Sequence, residues 1–98
     1  MAKGYWIYRA DVTDAEQYKR YIDANAAAFR KYGGRFLVRG GRAETLEGEW
    51  PNRRRVLLEF PSLDAAKRWW DSPEYEKPKA LRQAHSNGRL ILLEGVTA

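Results

Sequence analysis

Between residues 15 and 32, Tyr18, Tyr21, Ile22, Asn25, Ala28, Phe29 and Tyr32 recur at helical spacing. This stripe predicts a helix with one buried face. The flanking stretches behave differently. GYWIYRADV, residues 4–12, and RFLVR, residues 35–39, are aromatic and β-branched and read as strands. Thr13-Asp14-Ala15-Glu16 reads as a capping box at the helix start, and Gly33 as the left-handed residue that stops it. A strand, a helix and a strand in succession commit the chain to a sheet with a helical cover.

The rest of the chain repeats the theme. Gly40-Gly41 reads as a bulge, after which residues 42–47 continue the second strand, and residues 48–52 form a loop. Residues 55–60 are the third strand. Ser62 caps a helix through Trp69, Trp70 and Asp71, and Ser72-Pro73 breaks it. Pro78 reads as the first position of a further helical piece, Asn87-Gly88 as its end, and residues 89–96 as the last strand. The order is βαββαβ. We therefore expect an α+β, ferredoxin-like fold, a four-stranded antiparallel sheet with its helices on one face. Strands one and three are expected side by side as a central parallel pair. At 98 residues the whole chain, 1–98, is expected to form one domain.

Parity divides each strand between two faces. Trp6, Tyr8 and Ala10, Phe36 and Val38, Val56, Leu58 and Phe60, and Ile91 and Leu93 form a set without charge, expected under the helices. Tyr5, Ile7 and Arg9, Arg35, Leu37 and Arg39, Arg55, Leu57 and Glu59, and Leu90, Leu92 and Glu94 form a set with apolar centres and charged ends. A solvated face would be more polar, and a core face would carry no charge. This mixed face suits a second sheet packed on it, so we expect a homodimer with a lumen lined by charge. Arg9, Glu59 and Arg35 read as a structural group. Arg39 is expected beside Arg55, where it meets either Glu94 of a second copy or an anionic ligand.

Composition narrows the classes. The charge is +5, and twelve of the eighteen basic residues are arginine, whose fork suits carboxylates and phosphates. They are spread along the chain, apart from Arg53-Arg54-Arg55, which argues against nucleic acid as the partner. There is no cysteine and one histidine, so we expect no metal and no cofactor. No run reaches the roughly 18 apolar residues of a membrane span, and MAKGYWIYRAD lacks a signal-peptide core. A cytoplasmic protein is the expectation.

GYW, YGGRFLVRGG, EFPS, WWDSPEY and LLEG, in this order, resemble the domain of unknown function 1330 family over nearly the whole chain. The resemblance implies the dimeric α/β barrel superfamily, whose members pair two ferredoxin-like sheets. It carries no assigned reaction. Cofactor-free monooxygenases and isomerases share the wider fold, which is analogy at the level of fold.

The chemical candidates are few. Glu74 and Tyr75 in the SPEY stretch offer a carboxylate and a hydroxyl as an acid–base pair, and His85 is either a helix-end residue or a haem ligand or general base. Arg39, Arg55, Trp70 and Tyr75 are the expected ligand contacts. Trp69 and Trp70 are adjacent, so one packs inward and the other meets a pocket rim or a dimer surface. The reading is a homodimer that binds a small aromatic or anionic metabolite, with cofactor-independent isomerisation or oxygenation as its enzymatic form. The alternative is a non-catalytic structural or interaction dimer.

Overall fold

The computed structural model describes residues 2–50 and 54–97. Arg53 of the arginine cluster and residues 51 and 52 of the loop lie outside the described residues. In chain order the elements are β1 (Gly4–Val12), α1 (Ala15–Lys31), β2 (Arg35–Arg39), β3 (Arg54–Phe60), α2 (Leu63–Trp70), α3 (Pro73–Ala84) and β4 (Ser86–Glu94). The four strands form one antiparallel sheet in the order β2-β3-β1-β4. The fold is the expected ferredoxin-like one. Among the described residues no helix is long and apolar enough to cross a membrane.

Local chemistry sets the helix ends. Asp14, not Thr13, caps α1, its side chain accepting from the Gln17 amide at 3.1 Å, so the expected capping box does not form. Gly33 turns the chain out with φ 81°. Ser62 caps α2 as expected, accepting from the Ala65 amide at 3.1 Å. Ser72 caps α3, whose first residue is Pro73; Pro78 lies inside that helix rather than at its start. The helix ends at His85, before Asn87, because β4 pairs with β1 from Ser86 onward.

The sheet corrects three further expectations. β1 and β3 are neighbours but antiparallel. The crossover through α1 makes β1 and β2 the parallel pair, and the β2–β3 hairpin then slots β3 between them, reversed. The result places Arg9 opposite Arg55, and Tyr5 opposite Glu59. Second, the bulge falls between Phe36 and Val38, not at Gly40-Gly41, and no strand continues through residues 42–47. One extra residue moves each later side chain to the other face, so Val38 faces Leu57 and Arg39 faces Val56 on the helix side. Third, β4 has the opposite parity. Leu92 lies opposite Trp6 and Leu90 opposite Tyr8, which puts Leu90 and Leu92 under the helices and Ile91 and Leu93 on the open face.

The core fills the space between helices and sheet. Trp6, Tyr8, Ala10, Val56, Leu58 and Phe60 from the strands meet Tyr18, Tyr21, Ala28 and Phe29 of α1 and Ala66, Trp69 and Tyr75 of the later helices. Trp69 sits at the centre. Its ring centroid is 4.1 Å from that of Tyr75, 5.3 Å from Phe60 and 5.5 Å from Trp6. Its indole N–H donates to Asn25 Oδ1 at 3.1 Å, which explains a polar residue in the α1 stripe.

Candidate functional site

The open face of the sheet is built in three cross-strand rows. The first runs Arg35, Glu59, Tyr5 and Leu93, and the second Val38, Leu57, Ile7 and Ile91. The third runs Arg55, Arg9 and Arg89. Apolar residues of the first two rows stay uncovered, Leu93 at 44% and Ile91 at 52% exposure.

The first row holds an ion network. Glu59, 7% exposed, accepts from Arg35 Nε at 2.7 Å, from the Tyr5 hydroxyl at 3.1 Å and from Lys3 at 3.3 Å. Burial alone would raise its pKa, but these three bonds outweigh it and hold the carboxyl below the usual value. Tyr5 is pushed up by the hydrogen bond it donates to that carboxylate. The pairing of Glu59 with Arg35 was legible in the sequence. Tyr5 and Lys3 replace Arg9 in the group, because the antiparallel register carries Arg9 to the far end of the face.

The third row sets three like charges directly opposite one another, an arrangement that destabilises a sheet. Arg9 and Arg89 make no ion pair among the described residues. Trp50 offsets part of the strain. The Arg9 guanidinium lies 4.9 Å from its ring centroid and that of Arg55 5.8 Å, and Arg55 donates to the Trp50 carbonyl at 3.3 Å. A groove of about 770 Å³ runs along residues 43–47, Trp50 and Arg55. It has the size and the mixed lining of a small-molecule site. Arg9, Arg89 and Trp50 were not among the expected ligand contacts. The signal for them was the register of β1, which strand order alone does not supply.

The other sequence candidates are dispersed. Arg39 is exposed on the helix side, its guanidinium 4.7 Å from the Phe36 ring centroid, and does not neighbour Arg55 on the open face. Glu94, its imagined partner, lies opposite Gly4, whose missing side chain would strike α2, so Glu94 also belongs to the helix side. Glu74 is exposed and bonded to Lys31, and to the Tyr32 hydroxyl at 3.2 Å. The Lys31 bond is the main cause of its lowered pKa. Tyr75 is fully buried, its hydroxyl 2.9 Å from that of Tyr21 and 3.2 Å from Arg82 Nε. Burial raises its pKa, and the nearby guanidinium only partly reverses that. Glu74 and Tyr75 therefore face opposite environments and do not form one acid–base pair. His85 closes α3 through its backbone, its carbonyl accepting from the Thr13 amide at 2.9 Å. Trp70 is half-buried in the helix layer, with the Lys79 ammonium 4.2 Å from its ring centroid. Among the described residues no three metal-ligating side chains come together.

Solved structures share this fold. A protein of unknown function from Rhodopseudomonas palustris is 21% identical, with a TM-score of 0.81, covering 99% of this chain and 85% of that one. SnoaB, a cofactor-independent oxygenase from Streptomyces nogalater, is 17% identical with a TM-score of 0.65, over 100% of this chain and 97% of that one. A dimeric ferredoxin-like protein of unknown function from Thermobifida fusca is 13% identical with a TM-score of 0.60, over 94% and 90% of the two chains. No curated protein matches the chain. The profile of the domain of unknown function DUF1330 matches residues 3–96, and the chain belongs to that family.

Proposed function

We propose that two copies pair through their open sheet faces and that the lumen between them binds a small planar organic anion. The observation that carries the reading is the Arg55–Arg9–Arg89 row at the end of an uncovered apolar face. Arg9 and Arg89, opposed and in no described ion pair, are most stable with an anion across them, and arginine forks hold carboxylates in a fixed plane. Trp50, half-exposed and already against Arg9, supplies a flat apolar wall. The dimeric neighbour from Thermobifida fusca supports pairing of this fold.

Cofactor-independent isomerisation or oxygenation is the chemistry this reading includes, and for oxygenation the fold of SnoaB, a cofactor-independent oxygenase, gives support. Glu59 and Tyr5 on the open face, hydrogen-bonded to each other at 3.1 Å, are able to move a proton. The competing assignment is a structural dimer whose charged rows simply close on each other.

Light scattering at micromolar concentration tests the pairing, and a monomer there rejects it. Benzoate, with neutral benzamide as control, tests the lumen. Benzoate should raise the melting temperature of the wild type by mass action, and benzamide should not. Arg9→Ala should remove the open-face share of the shift while leaving the unliganded protein as stable or slightly more so, since a like-charge contact is removed. If Arg9→Ala instead weakens the unliganded dimer and benzoate shifts neither protein, the structural dimer is the better assignment.

A further inference from the structure

Among the described residues three buried side-chain nitrogens lack a hydrogen-bond partner: Trp6 Nε1, Arg54 Nε and Arg82 Nη2. All three are N–H donors, and two of them belong to residues that line one cavity. Trp6 and Arg54 line an internal cavity of about 20 Å³ between α1 and the sheet, and the Arg82 guanidinium stacks 5.9 Å from a Trp6 ring centroid. A buried donor without a partner forfeits the bond it made to water, and native interiors leave few of them. The phenols of Tyr18 and Tyr21 line the same cavity. Burial raises both pKa values, so neither can serve as a counter-anion. Arg82 is only 4% exposed, and no described carboxylate pairs with it or with Arg54. Among the described residues the cavity thus meets two unpartnered N–H donors, one of them on the half-buried Arg54 cation, with the buried Arg82 cation against the same Trp6 ring and no carboxylate paired with either arginine.

A water could fill the volume, since a cavity needs roughly 10–15 Å³ to hold one. It would accept some of the bonds and neutralise none of the charge. An anionic oxygen does both. We propose that this cavity is an oxyanion subsite, taking the charged oxygen of a planar organic carboxylate or phenolate. Its ring would enter past the half-buried Ile22 and Phe36, which line the same cavity. The subsite goes beyond the open-face reading and is independent of it, because Trp6 and Arg9 lie on opposite faces of the sheet.

Indole N–H resonances separate the two sites. Trp6 reports the interior and Trp50 the open face, and substitution of each by Phe assigns its signal. On titration with sodium benzoate at constant ionic strength, the Trp6 indole proton should move downfield and saturate. Benzamide should leave it in place. In the Arg9→Ala background, which removes the open-face site, Trp6→Phe should weaken benzoate binding about tenfold, the loss of one charge-assisted bond. Arg54→Met should weaken it similarly, and carries the test if Trp6→Phe does not fold. A Trp6 signal that stays fixed while that of Trp50 moves confines the anion to the arginine row and overturns the subsite. So does an equal response to benzamide, or undiminished benzoate affinity in Arg54→Met, which would leave the cavity to a single water.

Discussion

Arg82 on the helix side and Glu59 on the open side are both almost fully buried, at 4% and 7% exposure, yet they are held in opposite ways. Glu59 takes bonds from Arg35, Tyr5 and Lys3, so its charge is answered within the chain. Arg82 rests among the rings of Tyr8, Trp6 and Trp70 and one phenol, at 5.0, 5.9 and 5.8 Å from the ring centroids, with no described carboxylate. Aromatic faces soften a cation but do not neutralise it. The open face, in turn, answers the charge at one end, while Arg9 and Arg89 at the other end make no described ion pair. Surplus positive charge therefore occurs on both sides of one sheet, once inside the aromatic core and once over an apolar surface. Each proposed site rests on one of these two sides, and each side can be tested separately.

The largest effect should come from the interior. Trp69→Ala removes the ring that joins Trp6, Phe60 and Tyr75, and orphans Asn25. A loss of about 3–5 kcal/mol is expected from truncating a buried aromatic of this size, read from urea unfolding. A loss below about 1.5 kcal/mol, the range of a tolerated core swap, would mean that this centre is not what holds helices to sheet.

Next comes the open face. Ile91→Asp puts a charge in the middle row, at a residue that the single chain leaves half-exposed. The protomer should lose less than about 1 kcal/mol, as surface substitutions do. The proposed dimer should dissociate with a Kd at least about 100-fold higher, about 2.7 kcal/mol, followed by light scattering over a dilution series. A dimer unchanged by Ile91→Asp would move the interface to another surface and remove the lumen.

The same contrast between faces decides how much of the molecule is legible in its residues. The helix side was legible in β1 and β3 because Trp6, Tyr8, Val56, Leu58 and Phe60 alternate cleanly with their neighbours. It was illegible in β4, where Leu90-Ile91-Leu92-Leu93 is apolar on both faces and only the pairing with Trp6 fixes the parity. In β2 the alternation was present but broken by a bulge at Leu37, which a five-residue strand does not reveal. That single residue moved Arg39 off the open face. The candidate site changed for a related reason. Arg9 and Arg55 become neighbours only when β1 and β3 run antiparallel, and the two strands lie far apart in sequence.

A pH dependence sharpens the comparison from the acidic end of the open face. The Glu59 pKa is depressed in the folded chain below its ordinary value of 4.5. Its ion network therefore adds stability that is fully present above that ordinary value and is lost as pH falls through the folded pKa. Glu59→Gln should flatten the part of the stability profile below pH 4.5 that this group causes, and leave the profile near neutrality parallel to the wild type. Urea midpoints across the acid range read this directly. A profile in Glu59→Gln that falls as steeply as the wild type would show that other carboxyls, Glu74 among them, dominate the acid limb.

The smallest effect is the most discriminating for the site itself. Arg39 and Arg9 are both arginines near aromatic rings, at 4.7 Å from Phe36 and 4.9 Å from Trp50. They differ in which face carries them. An exposed cation–π contact is worth about 0.5–1 kcal/mol, so Arg39→Ala should lose no more than that in stability. It should bind benzoate with wild-type affinity, because Arg39 sits on the helix side of the edge strand and outside the interior cavity. Arg9→Ala should bind it less well on the open face, with the Trp50 indole signal no longer responding. If Arg39→Ala weakens benzoate as much as Arg9→Ala does, binding follows net charge and not the arginine row. If only Arg39→Ala weakens it, the bulge at Leu37 is absent in solution, and Arg39 returns to the open face beside Arg55.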